Sequence, residues 1–96
     1  MLERDYQRKL ITKLDNLFNG CLILKNDSSY MQGIPDLSVL YKNKFALLEV
    51  KKSANENIQP NQQYYINIAK ENGAFASFVF PENEEEVLNG LKEYFA

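Results

Sequence analysis

Histidine and tryptophan are absent from this 96-residue chain, and cysteine occurs once, at Cys21. The missing histidine excludes Ser-His-Asp and Cys-His nucleophilic catalysis, histidine-dependent nucleases and any Cys/His zinc site. A lone cysteine excludes an intramolecular disulfide. Cys21 heads the apolar run Cys21-Leu22-Ile23-Leu24 and reads as a small core residue. Any bound metal must therefore be held by oxygen, which favours Mg²⁺ or Mn²⁺. Long hydrophobic runs are also missing. Nothing approaches the ~20 apolar residues of a membrane span, and no apolar signal-peptide region follows the first residues. The expectation is a soluble intracellular protein with no membrane partner.

Charge of neither sign dominates: the net charge is −2, which on its own argues against a polyanionic partner. Its distribution is more informative. Residues 1–55 carry nine Lys/Arg against six Asp/Glu, whereas residues 56–96 carry two against seven. The acidic excess clusters at Glu82, Glu84, Glu85 and Glu86, where it suits a helix N-terminus. An apolar content of 45%, with six Tyr and six Phe, supports a packed core in one domain spanning residues 1–96.

Glycine and proline are few, four and three, so each marks a boundary. Residues 2–18 have helical periodicity, with Leu2, Tyr6, Leu10, Leu14, Leu17 and Phe18 on one side, until Asn19-Gly20 stops them. Residues 21–25 read as a strand and 26–33 as a polar loop. Apolar runs at about 36–41 and 44–51 flank Lys42-Asn43 and read as a β-hairpin. After a second polar loop, Ser53 to Ile58, Pro60 suits the first turn of a helix ending near Asn72-Gly73. Residues 74–80 are β-prone and Pro81 ends them. Asn83 is placed to cap a final helix whose apolar side holds Val87, Leu88, Leu91, Tyr94 and Phe95. The order α-β-β-β-α-β-α predicts an α/β domain, a mixed sheet flanked by helices, with the last two strands parallel.

The hairpin register carries the chemistry. In a two-residue hairpin Tyr41 faces Lys44, and stepping outward symmetrically brings Asp36 opposite Glu49. Direct cross-strand partners have Cα atoms roughly 4.5–5.5 Å apart, and like charges there destabilise a sheet unless compensated. A divalent cation is the simplest compensation. Strand alternation puts Phe45, Leu47, Glu49 and Lys51 on one face and Ala46, Leu48 and Val50 on the other. Both faces begin apolar, the pattern of a strand covered on both sides. An acid pair with a neighbouring ammonium at a strand end is equipment for metal-assisted phosphodiester hydrolysis. A solvated strand end with a Glu–Lys ion pair gives the same triplet.

Two further residues join this set by helical phase. Glu3 falls at the centre of the first helix's apolar stripe, pointing at whatever the helix packs on, or else lies in a frayed first turn favoured by the helix dipole. Gln62 lies at the centre of the second helix's inward face with Tyr65, Ile66 and Ala69, and is either a site residue or a core glutamine bonded to backbone.

Glu3 in the first helix, Gly33-Ile34-Pro35-Asp36-Leu37, a gap of twelve residues, Glu49-Val50-Lys51, and Gln62 eleven residues before Gly73 together resemble the VRR-NUC domain of the PD-(D/E)XK nuclease superfamily. The resemblance is to its stand-alone phage and bacterial form, related to archaeal-type Holliday junction resolvases, and covers nearly the whole chain. It implies a restriction-endonuclease-like fold and a Mg²⁺- or Mn²⁺-dependent, structure-specific DNA endonuclease that leaves a 5′-phosphate on branched or duplex DNA. It further implies that Asp36, Glu49 and the Val50 carbonyl bind the metal. Glu3 would hold a metal-bound water or serve a second metal position. Lys51 would orient or activate the attacking water, and Gln62 would position Lys51 or a water. Arg4, Arg8, Lys25, Lys42, Lys44 and Lys52 are the candidate backbone contacts, and Tyr30 and Tyr64 are candidates for base stacking, a dimer interface or ordinary surface. Symmetric junction cleavage needs two sites, which a homodimer supplies. Two other readings are a non-catalytic nucleic-acid-binding or assembly module that kept the fold, and an unrelated α/β interaction domain.

Overall fold

A computed structural model describes all residues, 1–96. The elements run α1 (Glu3–Leu17), β1 (Leu22–Lys25), β2 (Leu37–Tyr41), β3 (Lys44–Val50), α2 (Pro60–Glu71), β4 (Phe75–Val79) and α3 (Glu84–Phe95). This is the expected α/β order. The four strands form one mixed sheet in the order β1-β2-β3-β4, with β1–β2 and β2–β3 antiparallel and β3–β4 parallel.

The hairpin register is the one read from the turn: Tyr41 pairs with Lys44, Leu40 with Phe45, and so on to Leu37 with Leu48. Lys42 and Asn43 both take positive φ, +52° and +66°. That conformation matches the twist of flanking strands in a two-residue hairpin loop.

Each face of the sheet has its own cover. Leu37, Val39, Ala46, Leu48, Val50 and Val79 pack against Tyr6, Leu10 and Leu14 of α1, Phe18, and Val87, Leu91 and Phe95 of α3. Phe18, Tyr41 and Phe95 form a ring cluster with centroids 5.1–5.7 Å apart. Tyr6 donates a hydrogen bond to Glu84 Oε1 (2.8 Å), and Lys13 pairs with the same carboxylate, tying α1 to the start of α3. Cys21 packs at the edge of this core, as its apolar run suggests.

On the opposite face α2 brings Ile66 and Ala69 against Ala74, Ala76, Leu47 and Phe78, which covers only the β3–β4 side. Beyond it lie Leu22, Leu24, Leu40 and Phe45, all exposed. Leu22, Leu40 and Phe45 make one cross-strand row, and Leu24, Ser38 and Leu47 the next. With Tyr41 and the turn these residues line a shallow concavity of about 550 Å³. The expectation that β3 is covered on both faces thus holds only toward its C-terminal end, because one helix is too narrow to roof four strands.

Three local expectations need correction. Leu2 and Leu17 are exposed, since α1 presents its core face only from Tyr6 to Leu14 and the chain turns at Phe18. Asn83 precedes α3 but does not cap it through its side chain. Its Oδ1 accepts from Phe80 N–H (2.8 Å) and its Nδ2 donates to Phe78 C=O (3.1 Å), so it closes the turn after β4 instead.

Candidate active site

Asp36 lies one residue before the first ladder pair of β2, so the acids meet through side chains rather than through ladder bonds. Asp36 N–H donates to Glu49 Oε1 (3.1 Å), and Val50 N–H donates to Asp36 Oδ2 (3.0 Å). The reciprocal bonds fix the two carboxylates across the end of the hairpin. Asn26 holds Asp36 from the other side: its N–H donates to Asp36 C=O (2.8 Å), and its Nδ2 donates to Pro35 C=O and Ser38 Oγ, both at 2.9 Å.

Glu49 and Lys51 are the two buried charged residues of the chain, 6% and 8% exposed. Burying charge is costly unless every donor and acceptor is engaged, and Gln62 engages them. Its Nε2 donates to Glu49 Oε2 (2.9 Å), while its Oε1 accepts from Lys51 Nζ (2.8 Å). The same Oε1 accepts from Gln59 N–H (3.0 Å), so the group that orients Lys51 also closes the first turn of α2. Lys51 Nζ donates further to Asn57 C=O (3.2 Å) and stands 3.9 Å from Glu49 Oε2. Of the two adjacent glutamines it is Gln62, as helical phase predicts, that faces the sheet. It serves the lysine and, through Gln59, the backbone as well.

Glu3 is exposed rather than sunk against the sheet, because the buried part of α1 begins one turn later at Tyr6. It still faces acid. Partial desolvation comes first, then a hydrogen bond with Glu56 and the charges of Glu56 and Asp36; together they push the Glu3 carboxyl up to about 7 against the pull of Lys51. Glu56 was not singled out in the sequence, where it is one acid in a polar loop. No spacing signal could have paired it with Glu3. Burial raises Asp36 too, opposed by the Val50 N–H and Lys51. Burial and then the Asp36 charge push Glu49 up to about 7, with Lys51 opposing.

Burial raises the carboxyls of both members of this close pair, and Lys51 opposes the rise without cancelling it. That donor set suits a hard divalent cation, which typically takes one or two carboxylates and completes its sphere with water and substrate phosphate. No three Asp, Glu, Cys or His side chains converge as a metal-holding group, so Glu3 does not close a three-acid cage with Asp36 and Glu49. Val50 contributes its N–H to Asp36.

Arg8 pairs with Asp5 on α1 (3.7 Å), and the other five candidate phosphate contacts separate into two groups. Lys25, at the end of β1 paired with Leu37, Lys52 beside Lys51, and Arg4 beside Glu3 lie at the site end of the sheet. Lys42 and Lys44 lie at the hairpin turn. Seven residues of strand, roughly 23 Å at ~3.3 Å each, separate Lys44 from Lys51, and Lys44 Nζ is engaged by Tyr94 C=O (2.8 Å). Those two lysines do not serve the same phosphate as Lys51. The largest concavity, about 730 Å³ between β4 and α3, is lined by Glu82, Glu85, Glu86 and Glu93 and is unsuited to a polyanion.

This architecture has counterparts among solved structures. One described as "VRR_NUC domain" superposes with a TM-score of 0.74 at 26% identity, covering 97% of each chain. The chain has the same fold as this VRR-NUC structure, which is consistent with that family. A second structure, "VRR_NUC domain protein", gives a TM-score of 0.74 at 18% identity over 98% of this chain and 88% of its own, a likeness of fold. No protein-family model and no curated protein matches the chain. The likeness to VRR-NUC structures therefore rests on three-dimensional form.

Proposed function

We propose that this chain is a Mg²⁺- or Mn²⁺-dependent, structure-specific DNA endonuclease of the bacterial or phage-infected cytoplasm, cutting branched DNA such as Holliday junctions or flaps. The observation that carries the reading is the chain of contacts Asp36–Glu49–Gln62–Lys51, which holds a buried ammonium beside an acid pair. Asp36 and Glu49 would hold the metal, with the Val50 carbonyl as a backbone ligand. A bound divalent cation supplies Lewis-acid charge at the phosphate and favours deprotonation of water near neutral pH.

The remaining roles belong to the chain's own groups. Lys51 orients the attacking water and offsets negative charge gathering on the phosphoryl oxygens. Water oxygen bonds to phosphorus, the P–O3′ bond breaks, and the products are a 5′-phosphate and a 3′-hydroxyl. Gln62 keeps the ammonium in place, and Glu3 with Glu56 holds water at the open side. Contacts of this kind read phosphate and sugar, which makes the site sequence-tolerant.

The test is a cleavage panel of single strand, duplex, flap, splayed arm and four-way junction with Mg²⁺ or Mn²⁺. Lys51→Ala and Asp36→Asn should each lower cleavage by at least about a hundredfold, the loss typical of one transition-state charge partner, with the far-UV spectrum unchanged. Undiminished cleavage by either variant sinks the site. A second reading, a non-catalytic nucleic-acid-binding module, is favoured by the lack of a third converging acid. It predicts binding to the same panel with no metal-dependent product.

Homodimerisation is part of the proposal. The uncovered Leu22, Leu24, Leu40 and Phe45 lie on the same sheet face as Glu49 and Lys51, toward the other end of the hairpin, and a second copy seated there would cover them.

A further inference from the structure

Exposed large apolar side chains are not scattered evenly over this surface. One group is the bare sheet face. Another, Leu2, Tyr30, Ile58 and Tyr64, comes from four separate segments, and each segment also supplies or supports a site residue. Leu2 immediately precedes Glu3. Ile58, 50% exposed, lies between Asn57, whose carbonyl binds Lys51, and Gln59, whose N–H binds Gln62. Tyr64 is 57% exposed and braced edge-on by Tyr65 at 5.2 Å, but two residues beyond Gln62 on α2 it points to the helix's other side and is the weakest member of the group.

Tyr30 is the most exposed of all, at 84%. Its loop is nonetheless fastened. Asp27 Oδ1 accepts from Ser29 N–H (2.9 Å), Tyr30 N–H donates to Asp27 C=O (3.2 Å), and Ile34 N–H donates to Met31 C=O (3.1 Å). Asn61 Nδ2 donates to Gln32 C=O (3.2 Å), locking the loop onto the first turn of α2. Gly33, at φ +93°, makes that approach achievable: a Cβ there would lie 2.6 Å from Asn61 Cγ. No more than roughly 11 Å of extended chain separates Tyr30 from Gly33, and Asn61 adjoins Gln62. A solvent-facing ring is thus held on a rigid support close to the Lys51 network. Lys52 and Arg4 adjoin Lys51 and Glu3 in sequence, and Lys25 lies at the same end on the opposite face of the sheet.

Apolar and aromatic side chains interleaved with cations suit a strand whose bases are free to stack. An intact duplex presents phosphates at its surface and keeps its bases stacked inside. Building on the nuclease reading, we propose that the rim around the site, with Tyr30 as its principal platform, binds unpaired nucleobases flanking the scissile phosphate. The preferred substrate is accordingly a strand that is single or frayed at the cut, and Tyr30 is a specificity-determining residue rather than a catalytic one.

The test compares two fluorescent DNA forks, identical except that nucleotides flanking the junction on one unpaired arm either carry bases or are abasic. Binding is measured in EDTA, where no hydrolysis intervenes. The wild-type protein should bind the base-bearing fork about tenfold more tightly, the weight of one stacked base. Tyr30→Ala should remove most of that difference while leaving affinity for the abasic fork unchanged, and Tyr30→Phe should retain it. Equal wild-type binding to both forks overturns the proposal, as does a Tyr30→Ala loss that is the same on both. Failure of the nuclease reading is read separately, as no cleavage of any fork with Mg²⁺ or Mn²⁺. In that event the binding comparison still decides whether the rim takes bases.

Discussion

The two ends of β3 carry opposite arrangements on one face of the sheet. At the hairpin end Phe45 is apolar and open to solvent; at the other end Glu49 and Lys51 are charged and buried. The difference lies in what covers each end. α2 and the loops at residues 26–36 and 52–59 close over the charged end and satisfy it through Gln62, Asn57 and the backbone of Asp36, which Asn26 holds in place. Nothing in the chain closes over the apolar end. Where the fold invests its hydrogen bonds marks the end at which chemistry is held in place.

The contrast is tested most severely by pH. Glu49 is raised to about 7 by burial and the Asp36 charge, above an unfolded value near 4.3. Between those values the native state holds more protons than the unfolded chain, so the metal-free protein should lose stability as pH rises from about 4.5 to about 7. For Glu49 the loss is on the order of 3 kcal/mol at most. Mn²⁺ should restore the melting temperature at pH 8 and have little effect at pH 5, where protons occupy the acids. Melts at four pH values with and without Mn²⁺ provide the measurement. Stability that climbs through this window would mean the acid pair is not under strain.

Next in size is Gln62→Leu, which removes the amide linking Glu49 to Lys51. Leaving these buried groups short of partners should cost about 2 kcal/mol, seen as a lower urea midpoint. Cleavage should also fall by at least tenfold through misplacement of Lys51. Gln63→Leu, one residue along on the exposed side of α2, should be near neutral in both assays.

Much of this end was legible in the sequence because periodicity is a geometric rule. A two-residue turn fixed the Asp36–Glu49 register, strand alternation put Glu49 and Lys51 together, and helical phase turned Gln62 inward. Glu56 was illegible: its partner Glu3 is reached through a loop whose path no repeat encodes. Asn83 misled for a related reason, since an Asn before a helix can cap it or brace the preceding turn, and β4 decides which. The bare face also escaped, because Leu22, Leu24, Leu40 and Phe45 read as core in any strand pattern. Only the width of α2 shows that they are left outside.

At that open end, Phe45→Ser separates two states of the same face. Within one copy it removes a half-exposed ring and should change monomer stability by no more than about 1 kcal/mol. If a second copy covers the face, the same change should shift the protein from dimer to monomer in light scattering at micromolar concentration. A wild-type protein that is monomeric there contradicts the dimer directly. Leu48→Ala, on the sealed opposite face, should instead cost about 2–5 kcal/mol whatever the assembly state.

The smallest effect sits in the turn itself. Asn43 holds φ +66°, a conformation that Asn tolerates and glycine adopts without steric cost. Asn43→Gly should therefore raise stability by about 0.5 kcal/mol, or roughly 2–4 °C in Tm for a domain of this size. The site end shows why the reverse exchange is not equivalent. Gly33 also has positive φ, yet a Cβ there would meet Asn61, whose side chain anchors the loop leading to Asp36. Glycine is optional where the turn faces solvent and required where two backbones must touch. An unchanged or lower melting temperature for Asn43→Gly would indicate that the Asn43 side chain makes its own contribution to the turn, and that the open end is better fastened than its exposure suggests.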